Sequence, residues 1–79
     1  MTKNHKNLLR FIHFYYVSHG FIPTLKQMTQ AIGVNHHQST IRMIKSLLKK
    51  RYLDKVGEKL CFVMVSDKAL EELDFLNYV

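Results

Sequence analysis

Residues 20–35 read GFIPTLKQMTQAIGVN, and this stretch predicts a short helix between two turns. Thr24 and Gln27 have the spacing of a capping box, in which each side chain bonds the other residue's backbone N–H, so a helix begins here. Gly33 can adopt the left-handed conformation that closes a helix, and Asn35 is a good N-cap for the next one. The pattern therefore indicates a helix, a tight turn and a second helix.

Apolar residues on both sides of this stretch recur every three or four positions, which indicates two longer helices. Gly20 ends the first of these, and the basic run KKR at 49–51 lies at the end of the last. We expect helices over about residues 6–19, 24–32 and 36–50.

The rest of the chain predicts a hairpin and one more helix. Gly57 permits a tight turn between two apolar segments, so we expect a two-stranded wing over about residues 52–65. The run LCFVMV at 60–65 does not alternate, which suggests a strand covered on both faces. Ser66 is a good N-cap for a last helix over about residues 67–77.

These elements predict one fold class for a single domain over residues 1–79. It is mainly α with a small antiparallel β-hairpin: a winged helix-turn-helix of three helices and a two-stranded wing, plus a C-terminal helix. A chain this short has room for one modest hydrophobic core.

The charges are unevenly distributed along the chain. The formal net charge is +6, yet every aspartate and glutamate lies at or beyond Asp54. A basic surface without interspersed acids favours a polyanion, because binding releases the counterions of that polyanion, and nucleic acid is the commonest such partner. The alternative is a solvated basic face with no partner.

Several other functions find no support in the sequence. Cys61 is the single cysteine, so no internal disulfide can form, and we expect a cytoplasmic protein. No segment approaches the length of a membrane span. The side chains of His36 and His37 would diverge by about 100° on a helix, so we expect no metal site. No nucleophile–base set or phosphate loop is present, and we expect neither an enzyme nor a cofactor.

The first and last helices carry more apolar surface than a small core uses. This surface predicts a homodimer through the two helices, and the residues assigned to that interface are Phe11, Phe14, Leu70, Leu73 and Leu76. The alternative is that the last helix folds back over Phe11 and Phe14 within one monomer. A dimer would place two recognition helices about 34–36 Å apart, or a multiple of that, on a palindromic or repeated site.

Several motifs together resemble the N-terminal domain of LexA repressors. They are LLRFI at 8–12, GFIPTL at 20–25, AIGV at 31–34 and the spacing from Ile44 to Leu53. The resemblance covers roughly residues 5–65 and implies a winged helix-turn-helix whose third helix enters the major groove of an operator. LexA repressors continue into a self-cleaving Ser/Lys domain, and since this chain ends before one could begin, we expect no self-cleavage.

The resemblance also implies site residues. The base-contacting segment of the family falls on Asn35, His36, Gln38, Ser39, Thr40 and Arg42. Glutamine can pair bidentately with adenine and arginine with guanine, which supports that placement. Side chains better placed for phosphates are Thr24, Lys26, Lys45, Lys49, Lys50, Arg51, Lys55 and Lys59.

We therefore expect a small stand-alone transcriptional regulator, a repressor, that binds a specific duplex sequence. The alternative is a winged-helix protein-interaction module that binds and modulates a host regulator, polymerase or nuclease. Such small basic domains suit phages and other mobile elements. Winged helices serve both functions, and the fold does not decide between them.

Overall fold

The structure is a computed structural model, and it describes residues 2–73. Four helices and two strands follow one another in the order α1 (Lys3–His19), α2 (Leu25–Ile32), α3 (His37–Lys49), β1 (Leu53–Lys55), β2 (Val63–Val65) and α4 (Asp67–Glu72). The strands are antiparallel, with Leu53 opposite Val65. This architecture confirms the predicted winged helix-turn-helix with a C-terminal helix.

One core joins all the elements that carry the site. Each of the first three helices buries one face. Strand β2 packs against α1, and β1 packs against α3. The buried apolar side chains of this cluster are Leu8, Leu9, Ile12, Met28, Ile32, Ile44, Leu47, Leu53 and Val63. Full burial of such a side chain contributes about 1.5–3 kcal/mol, so this cluster holds α3 in place relative to α1 and the wing.

The predicted limits of α2 are confirmed by its caps. The Gln27 N–H donates to Thr24 Oγ1 at 3.1 Å, and the Thr24 N–H donates to Gln27 Oε1 at 2.8 Å, which is the predicted capping box. Gly33 closes the helix with a φ of 75°, in the left-handed region that glycine adopts without steric cost.

The end of α3 has the same closing geometry without a glycine. The Tyr52 N–H donates to the Leu47 carbonyl at 2.9 Å and the Arg51 N–H donates to the Leu48 carbonyl at 3.0 Å. Arg51 consequently has a φ of 64°, which is strained for a residue with a Cβ. This turn directs the chain from α3 into β1.

Two helix starts differ from the expectation. The N-cap of α3 is His36, which makes no side-chain capping bond, so the prediction of Asn35 as the N-cap is wrong. Helix α1 begins at Lys3 rather than near residue 6, because Thr2 caps it and accepts a bond from the His5 N–H at 3.3 Å.

The wing is shorter and more open than predicted. Residues 56–62 connect the strands, so Gly57 does not make a tight hairpin turn. The ring of Phe62 is 44% exposed, and the prediction of a strand covered on both faces is wrong there, since a two-stranded sheet packs only one face on the helices. A Cβ at position 57 would lie 2.5 Å from Phe62 Cδ2, so the Phe62 side chain would have to move to accommodate it.

Helix α4 begins as predicted and ends earlier. Ser66 Oγ accepts a bond from the Ala69 N–H at 3.2 Å and donates to the Arg51 carbonyl at 2.6 Å, so this cap also ties α4 to the end of α3. The helix ends at Glu72 and Leu73 is extended, whereas the expected limit at residue 77 lies beyond the part of the chain that the structure describes. Residues 74–79 lie outside the described residues.

Candidate nucleic-acid interface

Helix α3 presents one polar stripe to solvent. Its core face carries Thr40, Ile44 and Leu47, which are buried. The opposite face carries four exposed side chains, which we call the outer stripe: Gln38, Arg42, Lys45 and Lys49. At about 100° per residue these four positions lie within an arc of about 60°.

The outer stripe unites residues that the sequence analysis had placed in two groups. Gln38 and Arg42 were expected to read bases, and Lys45 and Lys49 to contact phosphates. The structure places all four in one line along the helix, and the spacing of four, three and four residues could have revealed this. His37, exposed in the first turn of α3, was not predicted as part of the site.

Thr40 is not part of this surface. Its side chain is fully buried, and its hydroxyl lies 2.7 Å from Thr29 Oγ1 on α2. The Thr29 hydroxyl donates its proton to the Leu25 carbonyl at 2.8 Å, so Thr40 is the donor in the pair. This burial contradicts the expectation that Thr40 contacts a base; instead the residue sets the position of α3 against α2.

The start of α3 is open to a ligand. Asn35 and His36 are exposed, and Ser39 is half-buried. His36 makes no side-chain capping bond, and the Ser39 N–H donates to the His36 carbonyl at 3.2 Å. Free N–H groups at a helix start attract anions such as phosphate.

The remaining predicted phosphate contacts surround α3. Thr24 and Lys26 are exposed at the start of α2, where the Thr24 hydroxyl already accepts its capping bond. Lys50 and Arg51 are exposed at the end of α3, and Lys55 is exposed on β1. In the wing connection, the Lys59 ammonium lies 5.9 Å from the centre of the Phe62 ring.

The acidic residues that the structure describes lie on the wing and α4. Of these, Glu72 accepts a bond from the Tyr52 hydroxyl at 2.9 Å, and this bond raises the pKa of Tyr52 above its ordinary value. The pKa of His5 is lowered, first by burial and then by the positive charge of Lys50. Because the charge of Lys50 acts on His5, the start of α1 lies near the basic end of α3.

The described residues among those predicted for a dimer lie in different places on the protein. Phe11 and Phe14 line a groove between α1 and α2, whereas Leu70 lines a separate hollow with Ile12 and Val65. Leu73 packs against the core, and Leu76 lies outside the described residues. The predicted last helix beyond Leu73 lies outside the described residues, so the dimer and the packing of this helix over Phe11 and Phe14 both stay predictions.

Residues 2–73 contain no group of three His, Cys, Asp or Glu side chains that could hold a metal ion. None of the described helices is both long and apolar enough to cross a membrane.

Comparison with known proteins finds a LexA repressor from Leuconostoc citreum (strain KM20). It is 34% identical to this chain over 68 residues, which cover 84% of this chain and 32% of that repressor. The chain thus spans about a third of the length of this relative. No protein-family model and no solved structure matches the chain. The sequence similarity, in a chain with a winged helix-turn-helix fold, confirms the resemblance to the N-terminal domain of LexA repressors.

Proposed function

We propose that this chain is a DNA-binding transcriptional repressor that reads a specific duplex sequence in the major groove with α3. The similarity to a LexA repressor supports DNA binding and repression. The outer stripe is the observation that supports sequence reading, because it puts donors, acceptors and cations on one accessible line of an exposed helix.

The chemistry of the stripe suits base edges. Gln38 can pair with adenine N6 and N7, and Arg42 with guanine O6 and N7, each worth about 1–3 kcal/mol of discrimination. They lie one helical turn apart, so they would contact neighbouring base pairs. Asn35, His36 and Ser39, at the start of α3, complete the proposed base-reading set, from which buried Thr40 is left out.

The cations around α3 would neutralise phosphates of the DNA backbone. Lys45 and Lys49 continue the stripe towards the end of α3, where Lys50 and Arg51 follow. Thr24 and Lys26 would contact one backbone, while Lys55 and Lys59 of the wing would contact another part of it. These contacts position the helix without reading sequence.

The test is selection of bound duplexes from a randomised pool at about 0.15 M salt, where weak surface attraction is screened. Three proteins are compared: the natural chain, the Gln38→Ala/Arg42→Ala variant and Lys6→Ala. Lys6 is exposed on α1 outside the proposed site, so its replacement controls for the loss of one positive charge.

We expect one enriched motif for the natural chain and for Lys6→Ala, and loss of that motif for the double variant. A palindromic motif would support a homodimer on DNA. Equal recovery of all sequences by the natural chain would refute sequence reading and favour the protein-interaction module.

A further inference from the structure

The turn between α3 and β1 carries two of the proposed phosphate contacts, Lys50 and Arg51, and we call these two residues the basic turn. Both side chains are exposed, and Arg51 has a φ of 64°. A residue with a Cβ is strained in this left-handed conformation, and such strain persists where the surrounding structure fixes it. The contacts that fix the basic turn therefore determine where its two cations leave the backbone.

Two side chains from beyond the wing bond the carbonyls of the basic turn. Ser66 Oγ donates to the Arg51 carbonyl at 2.6 Å. Lys68 Nζ donates to the Lys50 carbonyl at 3.0 Å. We call Ser66 and Lys68 the brace. Since Ser66 is the N-cap of α4 and Lys68 lies in its first turn, the start of α4 is bonded to both residues of the basic turn.

Tyr52, which follows the basic turn, is bonded by the same part of the chain. The Ser66 N–H donates to the Tyr52 carbonyl at 3.0 Å. At the other end of α4, Glu72 Oε2 accepts a bond from the Tyr52 hydroxyl at 2.9 Å. The Lys68 ammonium also lies 5.0 Å from the centre of the Tyr52 ring. Three successive residues at the end of α3 are thus held by Ser66 and α4.

Ser66 is the buried member of the brace. It is 5% exposed, whereas Lys68 is exposed. Its Oγ donates to the Arg51 carbonyl and accepts from the Ala69 N–H at 3.2 Å, so both functions of the hydroxyl are used. Water competes poorly for a buried bond, and a buried carbonyl that loses its donor is costly. Ser66 therefore restrains the basic turn more strongly than Lys68 does.

We propose that Ser66 is a positioning residue for phosphate binding, which acts through the backbone of the basic turn, and that Lys68 supports it. This inference rests on the proposed DNA binding by α3. Ser66 itself is buried and would not contact DNA. A turn that is already held in one conformation presents its cations to the DNA backbone without the entropy cost of ordering the turn on binding.

The test compares three substitutions that separate positioning from stability. Ser66→Gly removes the hydroxyl, and glycine is tolerated at a helix N-cap, so α4 should still begin at this position. Ser66→Thr keeps a hydroxyl and is the conservative rescue. Ile12→Val alters a fully buried side chain of α1 and lowers stability without touching the brace. Each is also made in a background without the basic cations, Lys50→Ala/Arg51→Ala.

Affinity for the selected duplex is measured at several salt concentrations. Ser66→Gly should weaken binding by up to about tenfold and reduce the slope of log affinity against log salt by about 1, because a phosphate contact is lost. Ser66→Thr and Ile12→Val should leave the salt slope unchanged. In the background without the basic cations, Ser66→Gly should change affinity less than about twofold, because the residues through which it acts are absent.

Hydrogen exchange follows the turn in the absence of DNA. The Arg51 and Tyr52 amides close α3 by bonds to the Leu48 and Leu47 carbonyls. Ser66→Gly should accelerate exchange of these two amides about tenfold more than that of the buried α1 residue Leu9, because it loosens the turn locally. Ile12→Val should produce no such difference between the turn and α1.

An unchanged salt slope for Ser66→Gly would overturn the proposal, and so would an equal loss of affinity in the background without the basic cations. Equal effects of Ser66→Gly and Ile12→Val on the slope would likewise assign Ser66 to stability alone. If Ser66→Gly does not fold, Lys68→Gln takes its place, with Lys6→Gln as the control for the lost charge, and the same background decides.

The two proposals fail in different ways. If the natural chain binds no duplex, the repressor proposal is refuted, and the positioning role of Ser66 is refuted with it. If the natural chain binds its selected duplex and Ser66→Gly binds with the same affinity and salt slope, the positioning role alone is refuted.

Discussion

The hydroxyls of Thr29 and Thr40 are 2.7 Å apart inside the protein and join α2 to α3. Thr29 also donates to the Leu25 carbonyl, so the three groups form a chain of two hydrogen bonds in the core. Buried hydroxyls are costly unless they are bonded, and this chain therefore favours one angle between the helices over others. The direction in which the outer stripe points depends on that angle.

This geometry predicts an asymmetry between two isosteric substitutions. Thr40→Val leaves Thr29 bonded to Leu25, so we expect a loss of about 1 kcal/mol in unfolding free energy. Thr29→Val leaves the Thr40 hydroxyl buried without this acceptor, and we expect a loss nearer 2 kcal/mol. The double variant should lose less than the sum, because no hydroxyl then remains unpaired. Urea unfolding of the four proteins measures this cycle, and strict additivity would show that the two hydroxyls are not coupled.

Replacement of Arg51 should separate stability from DNA binding. Arg51 has a left-handed backbone with a φ of 64°, which glycine adopts without strain, so Arg51→Gly should raise the unfolding free energy by about 1 kcal/mol. The same variant loses a proposed phosphate contact and should bind DNA more weakly. Lys50→Gly is the matched control, since Lys50 has a φ of −81° and gains nothing from glycine. Thermal unfolding would contradict the strain argument if both glycines lowered the midpoint equally.

The stability of the chain should decrease in acid partly through His5. Its folded-state pKa is lowered from 6.5 by burial and by Lys50, so the native state favours the neutral imidazole. The stabilisation is present above pH 6.5 and is lost as the pH falls through the lowered folded-state value. His5→Gln should therefore flatten the fall in unfolding free energy between pH 6.5 and the lowered folded-state pKa of His5. Urea unfolding at a series of pH values tests this, and identical slopes for both proteins would rule the contribution out.

Alanine substitutions of Arg42 and Lys49 should change DNA affinity in different ways, although both residues lie in the outer stripe. Arg42→Ala removes a proposed base contact, so affinity should fall by about 1–3 kcal/mol for the best sequence and less for others. Lys49→Ala removes a proposed phosphate contact and should weaken all sequences alike, reducing the slope of log affinity against log salt by about 1. Binding titrations on selected and scrambled duplexes at several salt concentrations distinguish the two. An unchanged salt slope for Lys49→Ala would place that residue away from the backbone.

The features that could be predicted from the sequence are set by residues close together in the chain. The Thr24–Gln27 capping box and the glycines at 20 and 33 act within one turn of chain, so their effects could be predicted from spacing alone. The same holds for the helical repeat of apolar residues, because the helix period is a constant of the backbone. The fold class and the assignment of α3 as the exposed basic helix both follow from such local signals.

The two ends of α3 could not be predicted correctly from spacing in the sequence. Asn35 is a better cap by composition than His36, yet the chain enters α3 one residue later than this preference predicts. The end of α3 is closed at Arg51, a residue without the freedom of glycine, and Ser66 from beyond the wing bonds the Arg51 carbonyl. No spacing rule reveals a bond between residues so far apart in the chain.

The sequence by itself determined the helix-turn-helix, the acid-free basic half and the resemblance to LexA repressors, because these reside in short-range pattern and composition. Only the tertiary structure decided that Thr40 faces Thr29 rather than solvent and that Gln38, Arg42, Lys45 and Lys49 remain outside. Among the described residues, it also decided that Phe11 and Phe14 line a groove together with Ala31 of α2. The physical reason is packing: which side of a helix is buried depends on the helices and strands that cover it.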